Sequence, residues 1–207
     1  MTRGTLRLML VALFGVAMGA GLVTYADDDD DRQKGYDAYN DPKMAAMMKY
    51  SNPGPEHGVL RQLEGDWDQQ VKWRMGPDKP WMTSKSECEN EFVLGGRYIQ
   101  QNIESEEEDG FKYKAIAYIG YDNYKKKYVA TWIDNMSTMI GSGEGAYEPT
   151  TRTFTFHGTI PDFETGRNKY YRSVLTIHHK DVMTEQVYEP DHAGNEFMSV
   201  ETHYKRD

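Results

Sequence analysis

At 207 residues the chain has room for one domain of ordinary size once an N-terminal leader is set aside. A formal charge of −9, with Lys125-Lys126-Lys127 as its dense basic run in a predicted turn, excludes the basic face that nucleic-acid binding rests on. The single cysteine, Cys88, excludes an intrachain disulfide, so an exported domain of this size must be held together by core burial.

Arg3 and Arg7 precede an uncharged run, Leu8 to Ala26, which then meets five aspartates. This is the charged n-region and apolar h-region of a secretory signal, and Thr24-Tyr25-Ala26 puts small residues at the two positions a signal peptidase reads. An uncleaved anchor is the rival reading, because the run nearly reaches bilayer-spanning length. Three glycines within the run and its small-residue exit favour cleavage. We therefore expect a signal peptide over 1–26, an acidic flexible leader over 27–50 and a domain over 51–207. The mature protein is expected in the periplasm or outside the cell, with no membrane contact after cleavage. Met44, Met47 and Met48 read as a short apolar helix rather than a soft-metal site, since no second cluster and no nearby His accompany them.

Ser51-Asn52-Pro53-Gly54-Pro55 is a loop signal. From Glu56 to Glu64, His57, Leu60 and Leu63 recur at helical spacing and predict one short amphipathic helix. After Gly65 the period becomes two: Trp67, Gln69, Val71, Trp73 and Met75 fall on one side, and charged or amide residues on the other. Further strands are predicted at 82–94, 97–104, 111–121, 127–135, 138–147, 152–158, 168–179, 182–189 and 196–206. Fifteen Tyr and four Trp suit such strands. Turn chemistry such as Glu148-Pro149-Thr150-Thr151, Lys180-Asp181 and His192-Ala193-Gly194-Asn195 returns each strand antiparallel to the last. About ten strands linked in this way form an up-and-down meander. Closing it removes both exposed edges, so the predicted fold is an all-β barrel capped by the helix.

In the second strand Ser84, Ser86, Cys88, Asn90 and Phe92 share a side opposite Thr83, Lys85, Glu87, Glu89 and Glu91. Small polar residues facing inward do not fill a core tightly, which points to a partly polar cavity and makes Asn90 a candidate ligand contact. The alternative is a flattened barrel with a filled interior and a structural or interaction role.

The segments His57-x-x-Leu60-x-x-Leu63-x-Gly65-x-Trp67, Leu94-Gly95-Gly96-Arg97-Tyr98, Gly120-Tyr121-Asp122-Asn123 and Thr131-Trp132-Ile133-Asp134-Asn135-Met136-Ser137-Thr138 carry a resemblance, continued by Glu185-Gln186-Val187-Tyr188-Glu189 and Tyr204-Lys205-Arg206. Together they resemble the bacterial domain-of-unknown-function family 1579, grouped with the lipocalin-like, or calycin-like, barrels. The resemblance implies that fold and no activity. It also implies that Trp67, after Gly65, packs beneath Arg206 from the last strand and closes one end of the barrel.

Trp132 and Asp134 lie two apart on one strand face, so both can point inward. One reading makes Trp132 a stacking floor and Asp134 a polar anchor for a ligand. The other makes Trp132 core and lets Asp134 cap the following turn. If Lys180-Asp181 is a two-residue turn, Arg172 falls opposite Glu189 and Thr176 opposite Glu185, so that Arg172, Thr176, His178, Glu185 and Glu189 share a face. Asp134, Arg172 and Glu185 in one pocket would be the acid–base machinery of an enzyme; cross-strand ion pairing is the rival account. No Gly-x-Ser-x-Gly, HxH or HExxH occurs among the motifs, and His178 and His179, adjacent on a strand, point to opposite faces. No cofactor and no metal site are expected, with haem or zinc held by histidine left open. A small, partly apolar molecule is the expected partner.

Overall fold

A computed structural model describes residues 41–207. The expected signal segment, and the leader as far as residue 40, lie outside the described residues. Helix α1, Pro42–Met48, is a short exposed helix with no buried residue. Helix α2, Pro55–Val59, runs directly into a 3-10 turn, Leu60–Leu63. Ten strands follow: β1 Gly65–Trp73, β2 Met82–Val93, β3 Tyr98–Ser105, β4 Lys114–Asp122, β5 Lys127–Asp134, β6 Gly141–Glu148, β7 Thr153–Asp162, β8 Arg167–His179, β9 Val182–Pro190 and β10 Glu196–Arg206. Each pairs antiparallel with its chain neighbour, and β1 pairs with β10 from Trp67↔Arg206 to Trp73↔Val200, closing the ring. No strand of the ring offers an unpaired edge, which is how the sequence avoids edge-to-edge association.

The alternation of each strand sorts its side chains. Inward residues at the end where β1 begins are Trp67, Ile99, Phe154, Ile177 and Met183, all at most 2% exposed. Leu60 and Leu63 of the 3-10 turn close this end, both fully buried. Fixing the cap are the Tyr128 hydroxyl, which donates to the Glu56 carbonyl at 3.0 Å, and the Trp67 indole, which donates to the Leu63 carbonyl at 3.0 Å. His57 Nδ1 accepts the Gly54 amide at 3.0 Å, holding the first turn of α2. Burial then lowers the His57 pKa, outweighing the nearby Glu56 charge.

The short helix expected over 56–64 is present over 55–63, its second half tightened into a 3-10 turn. Two expectations need correction. Met75 lies past the end of β1 and is 77% exposed. The β8–β9 hairpin does not follow a plain two-residue register: the pairing shifts between Ile177 and His179, setting Arg172 opposite Tyr188 and Thr176 opposite Thr184. A one-residue bulge reverses the facing of everything beyond it. Arg172, Thr176 and His178 therefore fall on the face opposite to Glu185 and Glu189.

Candidate functional site

The inner wall of the barrel differs between its two ends. Against the sealed core of the capped end, the inward side chains of the other half, Val71, Trp73, Ser84, Ala130, Trp132 and Glu185 among them, keep partial solvent exposure. Small residues stand on the far wall: Ala115 and Ala117 on β4, both buried, Ala130 on β5, and Gly141 and Gly143 on β6, with the Tyr171 side chain lying over Gly143. In a ring of ten, β4 stands across from β9, so this wall of small residues faces the strand that carries Glu185.

Glu185 sits at the centre of a polar network. Ser173 Oγ on β8 donates to its Oε1 at 2.7 Å, and the Tyr204 hydroxyl on β10 donates to its Oε2 at 2.9 Å. The Gln69 amide on β1 also reaches the Tyr204 hydroxyl, and Ser86 Oγ on β2 donates to Gln69 Oε1 at 2.6 Å. The network thus crosses five neighbouring strands. Burial, then the Glu185 charge, hold the Tyr204 phenol well above its ordinary value. Burial first, with the Glu185 charge second, likewise pushes the Cys88 thiol up to about 12 and raises Tyr171. Among the described residues no Lys, Arg or His forms an ion pair with Glu185.

Trp132 and Asp134 are joined. The indole Nε1 donates to Asp134 Oδ2 at 3.0 Å, while Oδ1 accepts the amides of Met136 and Ser137, both at 3.0 Å. Asp134 thus caps the turn after β5 and orients Trp132 at once. Tyr113 stacks on Trp132 with ring centroids 6.4 Å apart, and its phenol is raised by burial and by the Asp134 charge.

Two sequence candidates fall elsewhere. Arg172 is on the outer face, paired with Glu196 at 2.6 Å and stacked over Tyr188 at 4.1 Å, so the structure does not bring Asp134, Arg172 and Glu185 into one pocket. Asn90 does face inward but is 2% exposed under the cap: Nδ2 donates to the Leu63 carbonyl at 2.8 Å, and Oδ1 accepts from Gln101 at 3.1 Å and Cys88 at 3.1 Å. Its groups are occupied in tying the cap to the wall. Arg206 stacks over Trp67 at 4.1 Å and donates to the Glu64 carbonyl at 2.6 Å, closing the capped end beside Gly65.

The six histidines do not fit a haem inside the barrel. His57 is on α2; His157, His178 and His203 are on outward strand positions; His179 and His192 are exposed near turns. Among the described residues no three His, Cys, Asp or Glu side chains converge to hold a metal ion.

Sequence reasoning missed a concavity of about 1020 Å³ that wraps the rim of the capped end. Tyr121, Tyr128 and Tyr147 line it on one side, and Glu56, Lys127 and His157 on others. These tyrosines come from three neighbouring strands, Tyr121 and Tyr128 as direct cross-strand partners, and Pro55, Glu56 and Val59 of α2 supply another part of the lining. The chain matches the family model described as Protein of unknown function (DUF1579) over residues 52–206. No curated protein matches it.

Proposed function

We propose, for a chain that belongs to the family DUF1579, that the uncapped half of its barrel binds a small, partly apolar molecule without transforming it. The observation that carries this reading is the contrast along the inner wall: sealed at the capped end, and lined at the other by the partly exposed side chains of Val71, Trp73, Ser84, Ala130, Trp132 and Glu185. Separation of Arg172 from Asp134 and Glu185 weighs against the acid–base enzyme. The sequence pattern of residues 1–26 supports export, placing the binder in the periplasm or outside the cell. A second reading rests on the concavity beside α2, whose size suits a ligand of a few hundred daltons.

A fluorescence titration with N-phenyl-1-naphthylamine, on protein recovered from the exported fraction, separates the two. Saturable uptake is expected, lost when Ala130→Phe fills the open half of the interior and kept in Ala146→Arg, which alters the outer concavity. The opposite pattern would move the site to the concavity. No uptake, or an intact mass still containing residues 1–26, would sink the binding or the export reading respectively.

A further inference from the structure

Resting on that chamber, we propose that its ligand carries a positive charge: an organic amine with an apolar body, received by Glu185. A carboxylate offers about four acceptor sites, and here Ser173 and Tyr204 fill two, one on each oxygen. Both donors are neutral hydroxyls, so the charge itself stays uncompensated on the inner wall. An unpaired charge removed from bulk water is costly, and a cation arriving beside it recovers that cost.

Lys169 is paired with Glu189 at 3.0 Å, and Arg74 is held by the carbonyls of Met198 and Pro77 at 2.9 and 2.8 Å and lies over the Trp81 and Phe197 rings, so neither pairs with Glu185. A second inward carboxylate, Asp134, accepts only neutral donors and lies against the Trp132 indole. Aromatic faces beside uncompensated carboxylates attract alkylammonium groups through both charge and ring quadrupole. On the far side of the ring, Ala130 and Trp132 face inward and are partly exposed, and they offer apolar surface to the body of such a ligand. An anionic ligand, such as a fatty carboxylate, would meet the like charges of Glu185 and Asp134.

Three molecules sharing one tail decide this: decylamine, decanol and decanoate, titrated by calorimetry into the protein with residues 1–26 removed. The amine is expected to bind at least about tenfold more tightly than the alcohol, and decanoate most weakly. Glu185→Gln should erase the preference, so that decylamine and decanol bind alike. Should that variant fail to fold, the order of the three in the native protein still decides. Equal or tighter binding of decanol would overturn the charge inference and leave the chamber standing. An amine preference that survives Glu185→Gln would remove Glu185 from the role, and no binding by any of the three would bring down the chamber reading itself.

Discussion

Gly65 shows how much one residue can fix. Its φ of +117° is open to glycine and strained for any other residue, and a Cβ there would strike the Arg206 guanidinium. That guanidinium covers Trp67, bonds the Glu64 carbonyl and donates to the Lys180 carbonyl at 3.1 Å, linking the start of β1, the end of β10 and the β8–β9 turn. Backbone strain and displacement of Arg206 therefore act together in Gly65→Ala. We expect a loss of about 2–3 kcal/mol in urea unfolding. A loss below about 0.5 kcal/mol would mean that Arg206 relaxes freely and closes nothing. By contrast, the exposed bridges of Glu104 to Lys112 and Lys114, at 2.5 and 2.8 Å, pull the Glu104 carboxyl down to about 2 yet sit in water, where such pairs contribute little.

At the scale of elements, the glycines of β6 and β7 let strands approach side chains closely. A Cβ on Gly158 would collide with the Ser142 carbonyl and lie 2.5 Å from the Tyr171 ring, which crosses the inner face there and also covers Gly143. Neither the strand backbone nor a packed ring yields cheaply, so Gly158→Ala should lower stability by about 2 kcal/mol, whereas Gly58→Ala on α2, with open space around it, should stay within about 0.5 kcal/mol. Equal melting temperatures for the two variants would contradict this. The strands themselves were legible in the sequence because alternation is a local signal, and β2, β5 and β9 fall within a residue of their expected bounds. Register was not legible where a distant contact sets it. The Ile177 amide donates to the Arg152 carbonyl at 3.0 Å, and the Arg152 guanidinium bonds the His178 carbonyl, so the turn leading into the neighbouring strand β7 holds the bulge that sets Arg172 and Glu185 on opposite faces. Pairs close in sequence, such as Trp132 and Asp134, could be placed on one face. Glu185, Ser173, Tyr204 and Gln69 come from four strands, and their convergence exists only once the ring has closed.

Closing the ring also concentrates weak acids in its interior, and the whole molecule should show this in its response to pH. Burial is the largest cause of the raised pKa at Cys88 and Tyr128, both pushed up to about 12, and at Tyr204, which is raised further by Glu185. In the unfolded chain these groups release their protons near 9.0 for the thiol and 10.0 for the phenols. Between those values and the folded ones the unfolded state binds fewer protons, so the stability present below about pH 9 must fall as pH rises. Each fully buried group contributes a slope of up to about 1.4 kcal/mol per pH unit, and the half-buried Tyr128 less. Of the depressed carboxylates, Glu104, Glu144, Glu148, Asp162, Asp191 and Glu196 lie on the surface, where solvent screens their contribution to an acid-side loss, and Glu201 is the most buried. The alkaline limb is thus expected to be the steeper. Urea midpoints measured from about pH 8 to about pH 11 should decline progressively, and Cys88→Ser, which removes one titrating group, should shallow the decline between about pH 9 and 10. A flat profile over that range would show that the interior admits hydroxide and water as readily as the unfolded chain does, and that the ring is not sealed at its capped end.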